Sequence, residues 1–141
     1  MTVDVIEGIV THLSADAAII ALVGSRVYGG ILPSAEAIDI PSKCVVVKLS
    51  GGATPGFAGR TLTLDVQRID VNTYGENDFE ANRVCRAVYS ALKAIERLTV
   101  ANMLIHWSNP ASGALSLVDR DTDWHYCMRS YQVCASEETI P

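Results

Sequence analysis

The sequence predicts an α+β subunit: an antiparallel or mixed β-sheet with helices packed on one face and a long β-hairpin arm. Three observations predict it. Two helix-period stretches precede the first strand-like run, a third helix with a marked start follows the longest one, and three further strand-like runs occupy the C-terminal third. Between them, the short apolar run KCVVVKLS, the loop GGATPGFAG and the run RTLTLDVQRIDVNTYG read as a hairpin too long for a small core to cover.

Taken in order, Thr2 is placed to cap a first helix with Asp4 in its opening turn, and Ile6, Ile9, Val10 and Leu13 fall on one face. Ser14 then offers a cap for a second helix over 15–23, and Gly24 supplies a left-handed stop. A short strand is expected within 26–32, broken by Gly29 and Gly30, with an irregular connection over 33–41.

In the long strand Leu62, Leu64 and Val66 are even-numbered whereas Ile69, Val71 and Thr73 are odd. The buried face therefore changes sides near Gln67 and Arg68, through a bulge, through coverage of the first half by another subunit, or both. Asn77 and Glu80 have capping-box spacing, and Ala81, Val84, Cys85, Val88, Leu92 and Ile95 form one stripe, with Asn82, Arg86, Lys93 and Arg97 turned away. Strands are expected over 100–107, 115–120 and 125–134, and residues 136–141 read as a frayed tail. No linker or repeat divides the chain, so residues 1–141 are expected to form a single domain.

Composition narrows the function. With 141 residues the chain is long enough to bury roughly two thirds of its unfolded surface without disulfide or metal support. A composition of 49% hydrophobic and 19% charged residues suggests buried subunit contacts. The net charge of -5, with eleven scattered Lys and Arg, argues against a nucleic-acid grip. Cys44, Cys85, Cys127 and Cys134 lie among apolar residues without a Cys-x-x-Cys pair, as free thiols in a reducing compartment would. The start MTVDVIEGIV does not read as a signal peptide, and no apolar run approaches the ~18 residues of a membrane helix; a cytoplasmic site of synthesis is expected.

Few residues suggest chemistry. Asp119, Asp121 and Asp123 imitate the opening of a calcium loop, but the sixth-position glycine is absent and Ser130 stands where the twelfth-position glutamate belongs; a solvated turn or an inter-subunit charge contact fits better. His12, His106 and His125 lack metal-ligand spacing. A nucleophile pair of Cys127 or Cys134 with His106 has no local support, because these cysteines lie within an expected strand. GGATPGFAG lacks the Lys-Ser/Thr ending of a phosphate cradle. It reads either as a flexible hairpin tip or as one that orders on a neighbour with Phe57 as anchor. No enzyme activity, metal or cofactor is expected.

Several phrases, HLSADAAIIALVGSRVYGGILP, PSKCVVVKLSGG, LDVQRIDVNTYGENDFEANRVCRAVYSAL and WHYCMRSYQVCAS, together with the order of elements, resemble the tail terminator (tail completion) proteins of long-tailed bacteriophages and related prophages. The resemblance spans nearly the whole chain and rests on hydrophobic elements, not on a catalytic motif. It implies a small α+β virion subunit forming a ring, usually of six, at the head-proximal end of the tail tube. Such a ring stops tube growth, meets the head connector and lets DNA pass through its lumen without specific binding. On this reading the arm from Val47 to Val66, with Leu49, Phe57, Arg60, Leu62 and Leu64, joins neighbouring subunits, because open strand edges pair readily. A head-completion or connector ring, a small cytoplasmic enzyme and a regulatory binding module are the alternatives.

Overall fold

Asp4, not Thr2, starts the first helix. The computed structural model describes residues 4–30, 43–51, 65–100, 103–119 and 123–137; Thr2, the connection over 33–41 and the hairpin tip lie outside them. Asp4 accepts a hydrogen bond from the Glu7 amide (3.2 Å) and opens α1 (Val5–Ser14). Ser14 belongs to that helix and does not cap the next. Asp16 does so, its carboxylate accepting from the amides of Ala18 (3.0 Å) and Ile19 (3.2 Å) at the start of α2 (Ala17–Val23). A carboxylate also offsets the positive end of the helix dipole, which a serine hydroxyl cannot do. Gly24 follows in the left-handed region at φ 64°.

Beyond α2, β1 (Val27–Gly29) includes Gly29 as a strand residue. β2 (Cys44–Gly51) and β3 (Asp65–Gly75) form the two sides of the hairpin, and residues 52–64 between them lie outside the described part. Asn77 caps α3 (Asp78–Lys93) through the Glu80 amide (3.0 Å), while the Glu80 carboxylate reaches back to the Glu76 amide (3.0 Å). The expected stripe is buried throughout, from Ala81 to Ile95.

The helix ends earlier than its periodicity suggested. Ala94 caps it and β4 (Glu96–Val100) begins, with Arg97 at φ 54°. The β-branched Thr99 and Val100 favour a strand here, and Leu98 continues the apolar side into the sheet. One expected strand over 100–107 is therefore two, β4 and β5 (Met103–Pro110). After β6 (Leu115–Val118) comes β7 (His125–Glu137). Ser136, expected in the frayed tail, is a buried strand residue bonded to His106 (2.8 Å); residues 138–141 lie outside the described part.

The seven strands among the described residues make one mixed sheet, six of them in the order β1-β2-β3-β7-β5-β4 and β6 off this path beside β7, with β1 parallel to β2 and the other pairs antiparallel. The long β7 pairs along one edge with β3 and along the other with β5 and, nearer its start, β6. All three helices lie on one face, where Ile9, Leu13, Ile19, Val84, Val88 and Leu92 pack on Val45, Val47, Ile69, Val71, Tyr131 and Val133. The opposite face carries a second cluster of Cys44, Val46, Tyr74 and Trp124, as alternation along β2 requires.

A register irregularity does sit at the level of Arg68, but the extra residue is on the other strand. Leu49 pairs with Ile69 and Gly51 with Arg68, so Ser50 is the bulged residue, while β3 runs against β7 unbroken from Asp65 to Gly75. Val66 thus lies on the face of Asp70 and Asn72, away from the helices.

Candidate assembly surface

β3 gives the subunit two ends. At the arm end, the described part of β2 ends at Gly51 and that of β3 begins at Asp65. Asp65, Val66 and Gln67 pair with β7, and β2 is described as far as Gly51, opposite Arg68. Leu49 is 55% exposed here on the helix face of the sheet, and Lys48 and Arg68 are exposed on the opposite face. Val66 is half-buried. Val47 is a core residue of the subunit with no free surface. Phe57, Arg60, Leu62 and Leu64 lie outside the described residues.

At the far end, β3 closes on Gly75 and α3 begins. Gly75 pairs with His125 of β7, and His125 Nδ1 lies 3.1 Å from the Asp78 carboxylate. β6 meets the same residue through the Val118–His125 pair. The Asp119 amide donates to the Trp124 carbonyl (2.8 Å) and the Asp123 amide to the Asp119 carbonyl (2.7 Å), which folds the β6–β7 connection into a turn with Asp123 at φ 57°. Aspartate tolerates that left-handed conformation better than most residues. Trp124, fully buried, anchors the turn by an edge-on contact with Tyr74 at 5.2 Å.

Through the Val118–His125 pair and the His125–Asp78 contact the structure links the end of β6 to the start of α3; Asp121 lies outside the described residues. Besides the His125–Asp78 contact, Lys43 forms an ion pair with Glu80 (3.9 Å). Two large apolar side chains are exposed on these elements: Phe79, in the first turn of α3, at 81%, and Val118, at the end of β6, at 51%. Phe79 was missed from sequence. Its signal is an aromatic residue in the first turn of α3, off the buried stripe and flanked by acids.

The chemistry-bearing side chains serve the fold. His12 bonds the Ala91 carbonyl (3.1 Å) and ties α1 to α3. Under α3, the Cys85 thiol is acidified to about 7 because the Cys127 thiol hydrogen-bonds to it, an effect that outweighs burial; Cys127 is pushed up by the same bond. The Thr73 hydroxyl lies beside both, within reach of the Ala81 and Cys127 carbonyls (3.1 Å each). Both thiols are buried, and the described bond of His106 goes to Ser136, on the other side of the sheet from Cys127. Arg129 stacks on the Tyr89 ring at 4.2 Å, where Lys93 also bonds the Tyr89 hydroxyl (3.0 Å). Among the described residues no three His, Cys, Asp or Glu side chains converge as a metal site, and no single helix is long and apolar enough to cross a membrane.

No protein-family model matches the sequence, and no curated protein matches it. Among solved structures, one similar chain belongs to the virion of a native gene transfer agent particle, with a TM-score of 0.67, 18% identity and 92% of each chain covered. The two chains share a fold. The shared part spans both chains almost end to end, so the α+β architecture is common to the whole unit and not to one motif.

Proposed function

We propose that this chain is a structural virion protein of a tailed phage or prophage-like particle, and that it acts as the tail terminator. In this role subunits close into a ring, of six by resemblance, on the head-proximal end of the tail tube, where the ring ends polymerisation and forms the joint to the head connector. The observation that carries the reading is the near-complete fold similarity to a chain of a gene transfer agent virion.

The subunit's own features support it. On this reading the arm beyond Gly51, with the exposed Leu49 at its base, adds a strand to a neighbouring subunit. A head-to-tail contact of this kind generates a ring when its rotation closes. Termination is then steric and templated, with no reaction, metal or cofactor. The net charge of -5 suits a lumen through which DNA passes without adhering.

The test is a tail-tube assembly reaction with and without the purified protein, imaged by negative stain. Tubes of bounded length with a ring at one end are expected; tubes that grow unchanged would refute the terminator role. Binding to portal-containing heads and not to tubes would assign the chain to the connector instead. Deleting Ala53 to Gly59 should leave a folded subunit that neither forms rings nor caps tubes, and unaltered ring formation would refute the role of the arm.

A further inference from the structure

The four cysteines are divided between the two faces of the sheet, and one pair of them is in packed contact. Cys85 lies on the buried stripe of α3, and Cys127, across from Thr73 in the β3–β7 ladder, points to the same helix-bearing face. With Ala81 they form one buried cluster. Cys44 and Cys134 point to the opposite face, where they pair with Tyr74 and Val66 near the two ends of β3. That places them roughly 25 Å apart along the strands, against a limit of about 7 Å between the Cα atoms of a disulfide.

Helix and sheet approach closely at this pair because the residues between them are small. Gly75 sits so near the first turn of α3 that an added Cβ would stand 2.6 Å from the Ala81 amide nitrogen. Thr73 touches both sides: its hydroxyl lies 3.1 Å from the Ala81 carbonyl, one turn before Cys85, and 3.1 Å from the Cys127 carbonyl. The two thiols hydrogen-bond to each other. That bond, helped by Thr73 and by the charge of Arg129, holds Cys85 at about 7 despite its burial. Much of Cys85 is therefore thiolate at neutral pH, the form that reacts with oxidants.

We propose that Cys85 and Cys127 are a redox-sensitive pair that a peroxide closes to a disulfide, stapling α3 to β7. The Cys85 thiolate attacks one oxygen of hydrogen peroxide and the O–O bond breaks. The departing hydroxide takes up the proton that Cys85 had released and leaves as water, and Cys85 is left as a sulfenic acid. The Cys127 sulfur then attacks the Cys85 sulfur, the S–O bond breaks, and the hydroxyl leaves with the Cys127 thiol proton as a second water. In all, two thiols give up two electrons and one peroxide becomes two waters. A reducing cytoplasm keeps the pair open, and oxidising surroundings close it. The staple lies within one subunit and stands independently of the terminator role.

The experiment treats the full-length protein with hydrogen peroxide, removes the peroxide, and maps the product by mass spectrometry without reduction. One internal disulfide joining Cys85 to Cys127 is expected, with Cys44 and Cys134 still titrating as thiols once the chain is denatured. Because the link closes a long loop of the unfolded chain, the melting temperature should rise by about 5–15 °C, and dithiothreitol should return it to its starting value. Cys85→Ala, checked for folding by its own melting curve, should form no disulfide and show no rise. Four intact thiols in the treated wild type would overturn the proposal. So would a different pairing, a link between two chains, Cys85 carried on to the sulfinic acid with Cys127 still free, or a crosslink that leaves the melting temperature where it was.

Discussion

Replacing Gly75 by alanine should destabilise the subunit through backbone overlap at the junction of β3 and α3. A Cβ at Gly75 would lie 2.6 Å from the Ala81 amide nitrogen, 2.9 Å from Glu80 Cβ and 3.0 Å from the Glu80 carbonyl carbon. Carbon atoms in good contact are about 3.5–4.0 Å apart, so the first turn of α3 must retreat by roughly half an ångström or more. It is poorly free to do so. Asn77 and Glu80 bind it to the incoming chain, and the Thr73 hydroxyl lies 3.1 Å from the Ala81 carbonyl. Overpacking costs about 1–3 kcal/mol, the upper part applying where backbone must move, and the stiffer unfolded chain returns about 0.4–1 kcal/mol. A net loss of about 2 kcal/mol is expected, a large share of the ~5–15 kcal/mol that holds a domain. Urea denaturation should show a lower midpoint at unchanged slope. A loss below about 0.5 kcal/mol would refute the reasoning, since it would mean that the junction yields freely.

Other perturbations test other parts of the fold. Asn77→Ala removes the α3 cap and should cost about 1 kcal/mol by the same titration. Tyr131 is fully buried and its hydroxyl finds no hydrogen-bond partner among the described residues, so Tyr131→Phe should raise stability by about 1 kcal/mol. Burial pushes the Tyr74 hydroxyl up to about 12, with the Asp119 charge adding to it. A folded pKa above the unfolded one favours the neutral form, so this stability is complete below pH about 10 and is lost as pH rises toward 12, by up to about 2–3 kcal/mol. The alkaline fall measured by denaturation should be shallower in Tyr74→Phe.

The sequence disclosed α3 almost completely, because Asn77, Glu80 and the stripe from Ala81 to Leu92 agree on start, face and packing. It did not disclose β4. Ile95 continues the helical stripe by spacing, and only the capped Ala94 and the left-handed Arg97 reveal that the chain has turned. The irregularity near Arg68 was placed at the right level but on the wrong strand, since side-chain alternation in β3 cannot reveal that Ser50 is the inserted residue across from it. The first two helix starts were each misassigned to a nearby hydroxyl residue where Asp4 and Asp16 cap. At the candidate surface, the aspartates of the β6–β7 connection were visible as a group, whereas the link between β6 and the start of α3 depends on the Gly75–His125 and Val118–His125 pairings, which join segments far apart in sequence.

In the proposed assembly, subunits meet in a directed contact that closes into a ring. The most direct test is light scattering of the full-length protein across a concentration series, with negative-stain imaging of the largest species. A single closed ring, its centre wide enough for duplex DNA, is the predicted result. Open filaments, or a monomer at every concentration, would contradict it.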